Sequence, residues 1–162
     1  MTQIQDPRSL HPEELKACCA AGYSSDAVAL LLGESYHPGG LHLTRHLLKR
    51  LGLTPGQRLV DIASGRGQSA LLAAGEYDVS VAGVDLSATN IAAATAAAEG
   101  AGLEDRVHFQ VGDAEAVPLP DAVADAVICE CALCTFPAKE RALTEMARLL
   151  RPGGLVGITD IA

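Results

Sequence analysis

The sequence predicts an α/β fold: a doubly wound parallel sheet of about five strands with an N-terminal helical cap. From Gln57 onward, short apolar runs alternate with longer helical segments. That alternation implies parallel strands joined by right-handed crossovers, with helices on both faces. Several of the apolar runs end on an acid, and one of those acids leads into a glycine-rich turn. The chain has 162 residues, enough for one domain with an unaided core and little left for a second. With 49% apolar and 20% charged residues, its composition is that of a folded globular chain and not of a disordered one.

The cap is expected over residues 1–53 and the sheet domain over 54–162. Pro12 to about Ala20 suits a short helix with proline near its start. Ser24 and Ser25 offer an N-cap to the helix DAVALLLGE, which Gly33 ends. After the turn SYHPGG, the segment LHLTRHLLKRLGL places Leu43, Leu47, Leu48 and Leu51 at helical spacing, and Gly52 closes it. Thr54-Pro55-Gly56 is a turn. Then follow strand RLVDI, helix QSALLAAGE, strand VSVAGVD and the helix SATNIAAATAAAEGAG, opened by Ser87. Strands RVHFQVGD and AVICE, helix AKERALTEMARLL, a turn at RPGG and strand LVGITDIA complete the pattern.

Composition excludes several functions. Twelve Lys and Arg against twenty Asp and Glu give a net charge of −8, the wrong sign for a nucleic-acid binder. Aromatics make up 3% and there is no Trp, which argues against base-stacking surfaces. The longest run free of Asp, Glu, Lys and Arg, Leu86 to Ala98, is too short to span a bilayer, so no membrane partner is expected. The N-terminus MTQIQDPRSLHPEEL has no apolar signal core, and five cysteines are an odd number. Reduced thiols in a cytoplasmic protein are the expectation.

In parallel sheets of this kind ligands bind beyond the carboxyl ends of the strands, where strand order reverses. The first strand end reads Asp61-Ile62-Ala63-Ser64-Gly65-Arg66-Gly67, and its glycines permit close approach of backbone to a ligand at a helix N-terminus. Gly65-x-Gly67-x-x-Ala70 alone would also pass as a dinucleotide fingerprint. Asp61 changes that reading, since a carboxylate there repels a pyrophosphate but suits an ammonium or sulfonium group. Asp85, at the second strand end, can accept from both hydroxyls of a ribose. Asp113, after the third, is placed to accept from an adenine amino group, with the backbone of Ala114 serving the ring nitrogen. Each acid alone also reads as ordinary turn chemistry. Three at successive strand ends beside a Gly-x-Gly are harder to dismiss.

VDIASGRGQS, GVDLS, GDAEAVPLPD and ERALTEMARLLRPGGLVGITD resemble the successive motifs of class I S-adenosylmethionine-dependent methyltransferases. The likeness runs from about Thr54 to Ala162 and implies a Rossmann-like sheet. It also implies that Asp61 and the loop of Ala63, Ser64, Gly65 and Gly67 hold the methionine part of the cofactor. Asp85 with Leu86 would hold the ribose, Asp113 with Ala114 the adenine, and Glu130 would line the far side. His37 and Gly39 would touch the carboxylate end from an N-terminal lid, unless they form only a Pro-Gly turn. Ala63 replaces the family's first glycine, a change tolerable where the position needs no positive φ. The family's last two strands are absent. The fifth strand is therefore expected to be an exposed apolar edge, either covered by a partner subunit such as a homodimer mate or belonging to a fragment or natural truncation.

The cysteines bear on the acceptor. Cys129 is expected to point into the core. Cys131 and Cys134 follow the fourth strand on the ligand side, and thiolates there suit a soft metal or metalloid. A zinc site would need a matching second pair, and none is present; His42 and His46 lack a third ligand, so a solvated helix face is the plainer reading. ICECALCTFPAKE, Ala17-Cys18-Cys19 and the Ser-Gly-Arg-Gly loop are similar to segments of arsenite methyltransferases. The resemblance implies Cys131, Cys134 and Cys19 as catalytic thiols, with a metalloid acceptor needing no base. An organic small-molecule acceptor, for which His37, His42 or Glu130 would be the base, stays open. So does a cofactor-binding module without turnover.

Overall fold

The computed structural model describes residues 39–160, together with His11, Glu14, Lys16 and Cys18. The expected helix DAVALLLGE, His37 and Cys19 lie outside the described residues. Glu14, Lys16 and Cys18 are helical, in accord with a helix near Pro12–Ala20.

Helix α1 (Gly40–Leu51) ends at Gly52, whose φ of 64° turns the chain and lets its amide donate to Lys49 O. Then come β1 (Arg58–Ile62), α2 (Gln68–Tyr77), β2 (Ser80–Asp85), α3 (Ala88–Gly100) and β3 (Val107–Val111). The chain continues through β4 (Ala124–Glu130), a short 3-10 turn at Leu133–Thr135, α4 (Lys139–Leu149) and β5 (Leu150–Thr159). Ser87 caps α3 as its sequence suggests, its hydroxyl accepting from the Asn90 amide at 3.3 Å.

The sheet order is β3-β2-β1-β4-β5, and every pairing is parallel. Order reverses between β1 and β4, so their carboxyl ends flank the crevice where ligands bind in such sheets. One face carries α1, α2 and α3 over Leu59, Val81, Val107 and Ile128. The other carries α4, whose Met146 and Leu149 bury Val60, Ile62, Val127 and Cys129. Leu47 and Leu48 of α1 join the first core, and an Arg45–Glu76 ion pair of 2.7 Å ties α1 to α2.

One expectation is corrected. The RPGG segment is not a separate turn before β5 but part of it. Pairing with β4 passes from Ala124↔Leu150 to Ala126↔Leu155, and the extra residues are absorbed as an irregularity around Gly153, at φ 84°. Among the described residues β5 has no neighbour on its far side, so the bulge breaks no second ladder there. Leu155, Val156 and Ile158 are exposed on this outermost strand. Among the described residues no helix is long and apolar enough to cross a membrane.

Candidate functional site

The site is built where β1 stops. Asp61, at the penultimate position of β1, is 3% exposed, and its Oδ2 finds no hydrogen-bond partner among the described residues. Burial, then the charges of Glu130 and Asp85, push its carboxyl well above the usual carboxylate range. A cation brought against such an acid would favour its ionised form. Beyond it the chain turns sharply, with Ala63 at φ 58°, Gly65 at 53° and Gly67 at 81°. The Ser64 amide donates to Val84 O at 3.0 Å, and the Gly67 amide to Ser64 O at 2.9 Å, so the loop is held before α2 begins. A Cβ at Gly67 would lie 2.5 Å from Phe109 Cζ, so the ring of Phe109 forms the floor of this loop and only glycine fits above it.

Asp85 joins the loop to the next strand end. Its Oδ2 accepts from the Gly65 amide at 2.9 Å, and its Oδ1 from the Ser87 amide at 2.8 Å and Asn90 Nδ2 at 3.3 Å. A carboxylate has about four lone-pair sites, so capacity remains for a ligand hydroxyl. Asp113 follows β3. Its Oδ1 accepts from the Glu115 amide at 2.9 Å, and its Oδ2 pairs with Lys16 Nζ at 2.7 Å. Burial works against the Asp113 carboxylate, but these hydrogen bonds outweigh it and hold its pKa below the ordinary value.

At the end of β4, Glu130 accepts from the hydroxyls of Ser69 at 2.6 Å and Thr44 at 3.1 Å, one from α2 and one from α1. Cys131 follows at φ 50°, its amide donating to Thr159 O at 2.7 Å. Cys134 sits in the 3-10 turn, its amide donating to Asp160 Oδ2 at 2.8 Å. Burial raises both thiols above their ordinary pKa, and the negative charge of Asp160 raises them further. Cys129 is fully buried in the core, as expected for a cysteine acting as a small hydrophobe.

The sequence matches the family described as "Methyltransferase domain" over residues 60–158, well over half of the chain. This chain belongs to that family. The 27-O-demethylrifamycin SV methyltransferase of Amycolatopsis mediterranei is 34% identical over 153 residues, covering 86% of this chain and 56% of its own. Among solved structures, the Haemonchus contortus phosphoethanolamine N-methyltransferase 2, in complex with phosphomonomethylethanolamine and S-adenosylhomocysteine, superposes with a TM-score of 0.81. It is 28% identical over 96% of this chain and 37% of its own. The cyclase SpnF superposes at 0.71, with 35% identity over 74% of this chain and 44% of its own. The chain spans about half the length of the curated relatives it matches.

The methyltransferase domain brings most of its sequence-predicted site residues to one edge. Hydrogen bonds join Ser64, Gly65, Gly67 and Asp85, with Asp61 and Ala63 beside them in the chain and Asp113, Ala114 and Glu130 at the neighbouring strand ends. Leu86 stands beside Asp85 with its side chain exposed. One detail is corrected: Ala63 does adopt a positive φ, so its position is strained for alanine where glycine would relax. Cys18 is exposed and unpaired as a thiol. His42 and His46 are both exposed on α1, and His46 Nε2 accepts from Arg50 at 3.2 Å. Among the described residues no group of three His, Cys, Asp or Glu side chains could hold a metal ion. Sequence reading missed Thr44, Ser69, Phe109 and Lys16, because each acts through a partner distant in the chain.

Proposed function

We propose that this chain binds S-adenosylmethionine and belongs to an enzyme that methylates an organic small molecule. The observation that carries the reading is the buried carboxyl group of Asp61 beside the glycine loop, whose Oδ2 has no hydrogen-bond partner among the described residues. It fits a primary ammonium, and Asp85, joined to the same loop through Gly65, fits a ribose diol. A nucleotide pyrophosphate would be repelled by that carboxylate. When bound, the cofactor supplies an electrophilic methyl group on a sulfonium. The chain's own contribution is then to orient: Asp61 and residues 63–67 hold the amino-acid end, Asp85 and Leu86 the ribose, Asp113 and Ala114 the adenine, and Glu130 the opposite wall. Catalysis of this kind rests on alignment of nucleophile and methyl carbon.

The acceptor belongs to the same proposal. Cys131, Cys134 and Cys19 would serve a thiolate-bound arsenite acceptor, but the two described thiols near the site are pushed toward the protonated form by burial and by Asp160. The similar methyltransferase of Amycolatopsis mediterranei is named for an organic acceptor, which favours that reading. A cofactor-binding module without methyl transfer is the second reading, since one close structural relative is named for a cyclisation. The division near residue 53 into a cap and a sheet domain is part of the proposal, and so is a cytoplasmic location. Pairing of two copies along the free edge of β5 would cover Leu155, Val156 and Ile158.

Calorimetric titration with S-adenosylhomocysteine tests the reading. Saturable binding is expected, weakened about tenfold or more by Asp85→Ala, a charge-assisted hydrogen-bond acceptor lost. NAD should give no heat. Binding of NAD in place of S-adenosylhomocysteine would overturn the assignment. Arsenite-dependent methyl transfer abolished by Cys131→Ser would restore the metalloid acceptor.

A further inference from the structure

We propose that Lys16 is a positioning residue for the purine end of the cofactor site: by holding Asp113 between two donors, it makes the site select a 6-amino over a 6-oxo purine. The inference rests on the reading of Asp113 given above and deepens it. Lys16 Nζ lies 2.7 Å from Asp113 Oδ2 and 2.6 Å from Glu115 Oε2, with the lysine side chain 10% exposed. Glu115 cannot swing away, because its Oε1 also accepts from the Ala138 amide at 2.7 Å, at the start of α4. Two carboxylates are thus fixed on one ammonium, which favours the ionised form of Asp113. Burial opposes the charge on Lys16, yet the hydrogen bonds to Asp113 and Glu115 outweigh it and raise its pKa.

The chemical consequence follows from what an ionised carboxylate can do. It accepts hydrogen bonds and donates none. Facing the edge of a purine, it pairs with an amino group and repels a carbonyl oxygen. Without Lys16 the half-buried Asp113 loses the ammonium that favours its ionised form, and its protonation becomes easier. Arg141 also acts on Asp113, but through its charge alone. A protonated Asp113 can donate to a 6-oxo group as readily as it accepts from a 6-amino group, and the selectivity is lost.

The test compares the full chain as wild type, Lys16→Met and Lys16→Arg, titrated with S-adenosylhomocysteine and with S-inosylhomocysteine. Wild type should prefer the adenine ligand by about tenfold or more, the value of one charge-assisted hydrogen bond. Lys16→Met should bring the two affinities within roughly threefold of each other, and Lys16→Arg should restore the preference. Should Lys16→Met fail to fold, Lys16→Gln, which keeps a donor and loses the charge, serves the same comparison. An unchanged ratio in the neutral variant, even with both affinities lowered, overturns the inference, because a merely structural lysine would weaken both ligands alike. So does a wild type that binds both equally. A wild type that binds neither ligand overturns the functional reading beneath it.

Discussion

The two edges of the sheet carry the same kinds of residue and treat them differently. At the amino edge, Asp125 accepts from the Arg58 amide at 2.7 Å and from Arg151 at 3.0 Å, and Asp78 pairs with Arg106. At the carboxyl edge, Asp61 Oδ2, Ser64 Oγ, Asn90 Oδ1 and Thr159 Oγ1 are buried with no partner among the described residues. Strain does not separate the edges, since Asp78 and Ala122 on one side and Ala63 and Cys131 on the other all adopt positive φ. Unmet hydrogen-bonding capacity does. Buried polar groups are normally satisfied, and a concentration of exceptions marks where a ligand completes the structure.

The sharpest way to break this contrast is to neutralise one acid at each edge. Asp61→Asn should weaken S-adenosylhomocysteine binding by about a hundredfold, since a buried ion pair with the ligand is lost. It should also raise the stability of the unliganded protein by about 1 kcal/mol, read as a higher melting temperature. The sign follows from linkage. Asp61 is raised above its unfolded value of 3.8, so the folded state binds the proton more tightly. Stability is fully present below that value and declines as pH rises toward the folded pKa. The variant should lack this decline. Asp125→Asn should do the reverse, losing about 1 kcal/mol in denaturant melts while leaving ligand affinity unchanged. Equal effects of the two variants on binding would dissolve the distinction.

The glycines allow a steric version of the same comparison. Gly67→Ala meets both a positive φ and the Phe109 ring, and should lose about 2–4 kcal/mol of stability together with cofactor binding. Gly56→Ala, at φ 82° before β1 but facing open space, should lose only about 1 kcal/mol and bind normally. Smallest of all, Ala63→Gly should stabilise the chain by about 0.5–1 kcal/mol, measured by thermal melting, because it relieves the left-handed alanine. A loss of stability in Ala63→Gly would show that packing of the Ala63 methyl outweighs that strain.

Much of this molecule was legible before any coordinates. The strand RLVDI is β1 residue for residue, and Ser87 caps its helix as expected. Local chemistry explains that success: turns, caps and alternation are set by neighbours a few residues apart. The acids at the strand ends were legible too, because strand ends converge on one edge of any parallel sheet. What the pattern did not reveal was how those acids are held. Thr44 reaches Glu130 from 86 residues away, and Lys16 reaches Asp113 from 97. Nor did it show that Ala63 takes a left-handed conformation, or that RPGG is absorbed into β5.

The order of the elements and the placing of acids at the strand ends follow from the amino-acid sequence, for each depends on short-range sterics and periodicity. Which acids are paired and which are left unsatisfied depends on folding, which sets distant side chains against one another in a medium of low dielectric. There, a single ammonium or its absence determines whether a carboxyl group carries charge.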